Sequence, residues 1–337
     1  MDDATQAPRR RSRWRRRVGI GCLGLLVIGA IAAAALWVTK PWAPDVEVVD
    51  PGPGGVRVSA DGLLGNYYAA DERAPGVLVL GGSEGGLSTY LDLTARALRS
   101  AGYSTLALSY FGGPDQPQAM DALPLETFDA ALEHLKSRPE VDPERLAVIG
   151  SSKGGEATVL LAARHPELKA AVGLVPSSVV WQGMDLQRPW RMTSITSTWS
   201  DGGQSVPYLP YSGFPTGDLV TMYSASLEHL GEHPDPIIPI EHARGQVLLV
   251  CGENDTMWPG CAMSRQVQRR AQERGGPPVT VLAYPDAGHF AGGPPVPADS
   301  EFYPHLAELG GTVEGNAAAR ADSWPRILQH LQRALRG

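Results

Sequence analysis

Leu146-Ala-Val-Ile-Gly-Ser-Ser-Lys-Gly-Gly-Glu156 decides how this chain is read. Leu146 to Ile149 is a short apolar run with the length and branching of a buried strand. Glu156 to His165 has helical character. Between them Ser152 stands at the centre of a Gly-x-Ser-x-Gly turn that begins at Gly150 and ends at Gly154. A strand that turns abruptly into a helix holds such a serine in a strained backbone conformation, with its hydroxyl clear of the sheet. Residues two positions away must then be small, and both are glycine. The expectation is an α/β fold carrying a serine nucleophile at a strand-to-helix turn.

The pentapeptide alone is a weak signal, because the chain contains it twice. Gly81-Gly-Ser-Glu-Gly85 also follows an apolar run, Val77 to Leu80. Order separates the two. In folds built around this turn the nucleophile comes first along the chain, then the acid, then the histidine, with several strands ahead of the nucleophile. Ser152 has at least two strand–helix units before it. Ser83 follows the first parallel strand, where the fold places a loop that donates N–H groups. Ser152 is therefore the candidate nucleophile.

Its partners lie downstream. Gln246 to Cys251 reads as a buried strand that runs into Gly252-Glu-Asn-Asp255. Val279 to Tyr284 reads as the next strand and runs into Pro285-Asp-Ala-Gly-His-Phe290. Asp255 and His289 thus fall, with Ser152, beyond the carboxyl ends of strands, where open α/β sheets bind ligands. His289 takes a proton near neutral pH, and Asp255 would orient it through the other ring nitrogen. Glu253 and Asp286 compete with Asp255 for the acid, Asp286 also reading as a turn former. The expected oxyanion donors are the backbone N–H of Lys153 and those of the Gly82-Ser83-Glu84 turn. The Lys153 side chain is expected to face solvent. Glu84 reads either as a loop charge or as part of the entrance. The fold expected from these features is an α/β-hydrolase fold, a mostly parallel central sheet flanked by helices.

The chain has 337 residues, 43% of them apolar, ample for one large α/β domain. Its N-terminus differs from the rest. Residues 1–17 hold seven arginines, and residues 18–38 run for 21 residues without a charge, long enough to span a bilayer. Trp37 and Trp42 stand where an interfacial aromatic belt would lie. The expected organisation is a basic cytoplasmic tail (1–17), a transmembrane signal-anchor helix (18–38), a Pro/Gly-rich tether (39–55) and a catalytic domain (56–337). The arginine cluster stays inside by the positive-inside rule, so the catalytic domain is expected outside the cytoplasm. A cleaved signal peptide with a secreted product is the rival reading. Residues 1–40 carry seven Arg and one Lys against two Asp, a charge of +6; the whole chain carries −7, which leaves −13 for residues 41–337. So acidic a domain argues against nucleic acid as a partner. No metal-ligand spacing and no cofactor motif is present among the cysteines and histidines. Cys251 and Cys261 flank the Asp255 loop, either as a disulfide or with Cys251 as a plain buried strand residue.

Between the sixth and seventh strands the α/β alternation breaks. Residues 177–242 are rich in Trp, Tyr, Pro, Gly and Ser and read as a lid insertion. Trp181, Trp190, Trp199, Tyr208, Tyr211, Phe214 and Tyr223 either line an acyl or aromatic pocket or pack the insertion onto the domain. A last helix is expected over Ser323 to Leu335.

Taken together, Leu78-Val-Leu-Gly-Gly-Ser-Glu-Gly-Gly86, Tyr110-Phe-Gly112, Val148-Ile-Gly-Ser-Ser-Lys-Gly-Gly-Glu156, Trp258-Pro259 and Gly288-His289 resemble the C-terminal catalytic domain of the acyl-CoA thioester hydrolase / bile acid-CoA:amino acid N-acyltransferase family. The likeness covers roughly residues 56–336. It implies a serine acyl hydrolase with Ser152, Asp255 and His289 as its triad, an acyl-enzyme intermediate and an acyl thioester or ester as substrate. Larger members carry an N-terminal β-sandwich, for which about 35 residues between the apolar run and the first parallel strand leave no room. The family's amino-acid transferases use cysteine at the turn, so Ser152 points to water as the acceptor. Acyl-CoA is chiefly cytoplasmic, in tension with a catalytic domain outside, and an envelope carboxylesterase or lipase is the alternative. A non-catalytic binding protein on the same fold is a third reading.

Overall fold

Continuous apolar runs make poor amphipathic strands but good central ones, and here they assemble into one eight-stranded sheet. The computed structural model describes residues 29, 36–38, 45–60, 62–213 and 219–336. The expected membrane-spanning helix, residues 18–38, lies outside the described residues apart from positions 29 and 36–38. Among the described residues no helix is long and apolar enough to cross a membrane. The chain divides into two units, Met1–Pro44 and Asp45–Gly337. The fold below is that of the second.

In chain order the elements are β1 (Gly55–Ala60), β2 (Leu63–Tyr68), β3 (Ala74–Leu80), α1 (Thr89–Ser100), β4 (Ser104–Ser109), β5 (Leu123–Pro124), α2 (Glu126–Lys136), β6 (Val141–Ser151), α3 (Lys153–Arg164) and β7 (Ala170–Leu174). They continue with β8 (Trp199–Asp201), β9 (Gln204–Ser205), α4 (Leu219–Glu228), β10 (Gln246–Gly252), α5 (Gly260–Arg274), β11 (Val279–Tyr284) and α6 (Val313–Ala334). The main sheet has the order β1-β2-β4-β3-β6-β7-β10-β11. β1 and β2 form an antiparallel hairpin, β2 is antiparallel to β4, and every later pairing is parallel.

A parallel sheet is covered on both faces, so its strands bury alternate residues into two cores. Leu78 and Leu80 of β3 join Phe128, Leu132 and Leu135 of α2, Val159 and Leu161 of α3, and Val267 and Ala271 of α5. Val77 and Val79, pointing the other way, join Leu91, Ala95 and Leu98 of α1 and Trp324, Ile327 and Leu331 of α6. β4 is buried along its whole length. All parallel strands therefore end at one edge, where their following loops gather.

α6 begins at Val313, ten residues before the helix expected from the sequence. Thr312 caps it, its hydroxyl accepting the Gly315 N–H at 2.9 Å. Gly315 and Pro325 read as breakers, yet the first turn tolerates glycine and the helix continues through Pro325. The residues 177–242 leave the main sheet altogether. β8 and β9 form a small second sheet with β5, and α4 follows.

Phe128 is fully buried, with Tyr110 and Trp199 at ring-centroid distances of 5.3 and 5.6 Å. Phe128→Ala is expected to destabilise the domain by about 3–5 kcal/mol. Equilibrium denaturation with urea will read this as a lower midpoint at an unchanged slope.

Candidate active site

At the end of β6 the backbone of Ser152 adopts φ 56° and ψ −117°, a conformation that L residues rarely hold. Its N–H bonds to the Leu174 carbonyl at 2.9 Å, and its own carbonyl accepts the Glu156 N–H at 2.9 Å, opening α3. The glycines on either side leave space for backbone, not side chains. A Cβ on Gly150 would stand 2.2 Å from the Gly154 oxygen, and one on Gly154 would stand 2.3 Å from the Gly81 oxygen. The turn is thereby wedged against the end of β3. The loop after β3 lies over it: a Cβ on Gly82 would meet the Ser152 Cβ at 3.1 Å. Ser83 sits in that loop's turn and not at a strand-to-helix junction.

Asp255 and His289 come together. His289 Nδ1 lies 2.8 Å from Asp255 Oδ2, and both side chains are almost wholly buried. The other carboxylate oxygen, Asp255 Oδ1, accepts the N–H groups of Met257 (2.8 Å) and Trp258 (3.2 Å). Four lone-pair directions are thus largely used, and the carboxylate has a fixed orientation. Of the competing acids, Glu253 pairs with Arg265 in solvent and Asp286 is exposed. The Trp258 indole packs edge-on to the His289 ring at 6.0 Å and donates to the Val175 carbonyl at 3.1 Å. The disulfide Cys251–Cys261 closes the loop that carries Asp255, leaving the end of β10 bonded to the start of α5.

Two expectations about the neighbouring groups need correction. Lys153 does not face solvent. Its side chain is buried, with Nζ donating to Glu156 Oε2 at 2.9 Å and to Thr198 Oγ1 at 2.8 Å. Glu156, equally buried, accepts the Trp199 Nε1–H at 2.8 Å and the Trp181 N–H at 3.2 Å. Burial pulls the Lys153 ammonium below its ordinary value and pushes the Glu156 carboxyl above the carboxylate range, while their mutual attraction opposes both shifts. A surface lysine was the default expectation, and only the partner three residues on, in the first turn of α3, hinted otherwise. The second correction concerns Gly82. Its N–H is engaged by Glu84 Oε1 at 3.0 Å and so does not point into an oxyanion hole. The N–H groups of Ser83 and Lys153 are the remaining donors of the expected set.

The aromatics of the insertion pack among themselves. Trp181 meets Tyr223 at 4.8 Å, Tyr223 meets Trp258 at 5.6 Å, and Trp258 reaches His289, an edge-to-face ladder from the insertion to the imidazole. Trp199 is buried in the main core, Tyr208 and Tyr211 are partly buried, and Trp190 is half exposed. Phe214 lies outside the described residues. Among the described residues no group of three or more His, Cys, Asp or Glu side chains is placed to hold a metal ion.

A strained serine at the crossing of β6 and α3, with a buried carboxylate–imidazole pair at the same sheet edge, defines the class as the α/β-hydrolase fold. A dienelactone hydrolase-like promiscuous phosphotriesterase from metagenomic libraries shares it, with a TM-score of 0.51 at 18% identity, covering 84% of this chain and 98% of that one. Within the class the chain belongs to the BAAT / Acyl-CoA thioester hydrolase C terminal family, whose model matches residues 123–337. Acyl-coenzyme A thioesterase 1 of Homo sapiens is 27% identical over 327 residues, which is 89% of this chain and 75% of that protein. Acyl-coenzyme A amino acid N-acyltransferase 2 of Mus musculus is 28% identical over 269 residues, 77% of this chain and 60% of that protein.

Lys153→Met alone strands the Glu156 carboxyl and is expected to cost about 3–5 kcal/mol, whereas Lys153→Met with Glu156→Leu recovers much of that loss. A double-mutant cycle in urea gives the coupling. Reduction of Cys251–Cys261 is expected to lower stability by about 3 kcal/mol for a loop of this length. The thermal midpoint with and without dithiothreitol measures it, and Cys251→Ala/Cys261→Ala should abolish the difference.

Proposed function

We propose that this protein is a serine acyl hydrolase that cleaves acyl thioesters of the coenzyme A type or the corresponding oxygen esters. One observation carries the reading: the buried Asp255–His289 pair at the sheet edge that also holds Ser152 in its strained turn. With Nδ1 engaged by Asp255, Nε2 is the atom left to take a proton. Ser152 Oγ attacks the acyl carbonyl carbon and passes its proton to His289 Nε2. Negative charge collects on the carbonyl oxygen, next to the N–H groups of Ser83 and Lys153 and the positive end of α3. The tetrahedral species collapses as the C–S or C–O bond breaks, and the imidazolium returns its proton to the leaving thiol or alcohol. Water then attacks the acyl-serine, giving its proton to His289. A second collapse frees the carboxylic acid and restores the serine hydroxyl. Asp255 steadies the imidazolium in both halves and stays ionised.

Membership of the family supports the thioester, and the serine at the turn supports water as acceptor. The Cys251–Cys261 disulfide favours a second reading of the leaving group. Disulfides persist in oxidising compartments. The arginine-rich residues 1–17 and the uncharged residues 18–38 accord with a single-pass anchor that places the catalytic domain outside the cytoplasm. There an envelope ester is the more accessible substrate.

The full chain in mild detergent, beside Ser152→Ala, decides between these readings. Turnover of acyl-CoA is compared with that of simple oxygen esters of matched chain length. Ser152→Ala is expected to lose at least about 10³-fold in kcat. Preference for acyl-CoA supports the thioesterase, and preference for the oxygen ester supports the envelope esterase. Equal turnover by the two proteins would sink the serine mechanism.

A further inference from the structure

Glu84 follows the candidate oxyanion loop, and its carboxyl group sits in a seat built from missing side chains. A Cβ on Gly81 would stand 2.8 Å from Glu84 Oε1, and one on Gly82 would stand 2.8 Å from Oε2. Either substitution would fill the space the carboxyl occupies. The seat supplies a donor as well: Gly82 N–H bonds to Oε1 at 3.0 Å. The position is not peripheral. The same Cβ on Gly82 that would touch Oε2 would also stand 3.1 Å from the Ser152 Cβ.

The groups facing this carboxyl come from every neighbouring element. Ser88 is the N-cap of α1. From the end of β4, the buried Tyr110 hydroxyl donates to the Gly81 and Gly82 carbonyls at 2.8 and 3.2 Å, bracing the loop from below. His289, held by Asp255, is near enough to act on the Glu84 carboxyl electrostatically. Glu156 acts on the same Tyr110 from within the core. Burial pushes the Glu84 carboxyl above the carboxylate range, and the N–H donors and the His289 cation pull it back.

We propose that Glu84 is a positioning residue of this site: its carboxyl group, seated over Gly81 and Gly82, fixes the loop that faces Ser152. The inference rests on the serine hydrolase reading. By taking the Gly82 N–H it leaves the oxyanion to the Ser83 and Lys153 donors.

Glu84→Gln keeps an acceptor for the Gly82 N–H, and Glu84→Ala removes it. The full chain, Glu84→Gln, Glu84→Ala and Ser152→Ala are assayed for kcat and KM with a short acyl ester, and for the rate of Ser152 labelling by a fluorophosphonate. Glu84→Ala, which frees the loop, is expected to lose about ten-fold in kcat and in labelling rate with KM changed less than about three-fold, while Glu84→Gln stays within about three-fold of the wild type. An alanine variant with unchanged kcat, or one whose loss Glu84→Gln shares in full, overturns the inference. Ser152→Ala keeps the two readings apart. Activity and labelling that survive it overturn the serine mechanism and this inference together. Activity lost there, with kcat unchanged in Glu84→Ala, overturns the inference alone.

Discussion

The approach of α3 to the ends of β3 and β6 is the constraint on which the remainder depends. Backbone meets backbone there with no room for a single side-chain carbon: Gly150 against the Gly154 carbonyl, Gly154 against the Gly81 carbonyl. That contact is what forces Ser152 to a positive φ, since the chain must reverse from strand to helix within one residue. It also brings the loop after β3 over the serine. The local cost is of the order of 1–3 kcal/mol, sustained because the two cores on either face of the sheet over-determine the path of the chain.

A second interaction fixes the position of the helix that begins there. A buried ion pair is seldom a source of net stability, because desolvation of both charges consumes the attraction. Lys153 and Glu156 are held by Thr198, the Trp199 indole and the Trp181 amide, so each charge has neutral partners besides its counter-ion. Those partners all belong to the insertion. The pair's effect is therefore one of registry: it sets where the insertion rests relative to the first turn of α3. The backbone N–H of Lys153 is carried by the same residue as the buried ammonium, which ties an expected oxyanion donor to the packing of residues 177–242.

Much of this was legible in the sequence, and unevenly. Leu146–Ile149, which leads to the turn, and Val247–Cys251 are apolar runs of the kind a doubly covered parallel strand imposes, and Val279–Tyr284 is a similar run at the partly exposed edge of the sheet. The loops after the last two carry Asp255 and His289, which is why a carboxylate and an imidazole at strand ends could be singled out. What escaped was decided by distant partners. A lysine beside a nucleophile reads as a solvent-facing charge until Thr198, forty-five residues on, is known to receive it. Gly82 counts as an amide donor until the Glu84 carboxyl is seen to take its N–H. α6 starts ten residues before the expected Ser323, and the local penalties of its Gly315 and Pro325 are absorbed by a well-capped, well-buried helix of 22 residues. Spacing alone left the state of Cys251 and Cys261 open, since a buried strand cysteine and a bonded one look alike in sequence.

The insertion contributes no strand to the main sheet, yet it supplies the donors that satisfy Glu156 and the rings that lead to His289. It is thus an exchangeable part with a fixed plug. Its outer surface is open to rewriting. Any replacement grafted between β7 and β10 must bring a hydroxyl for Lys153 and two N–H groups for Glu156, or the chassis beneath loses the neutral partners of its buried charges. Change in such an insertion would proceed at its surface while keeping these three contacts with the buried pair.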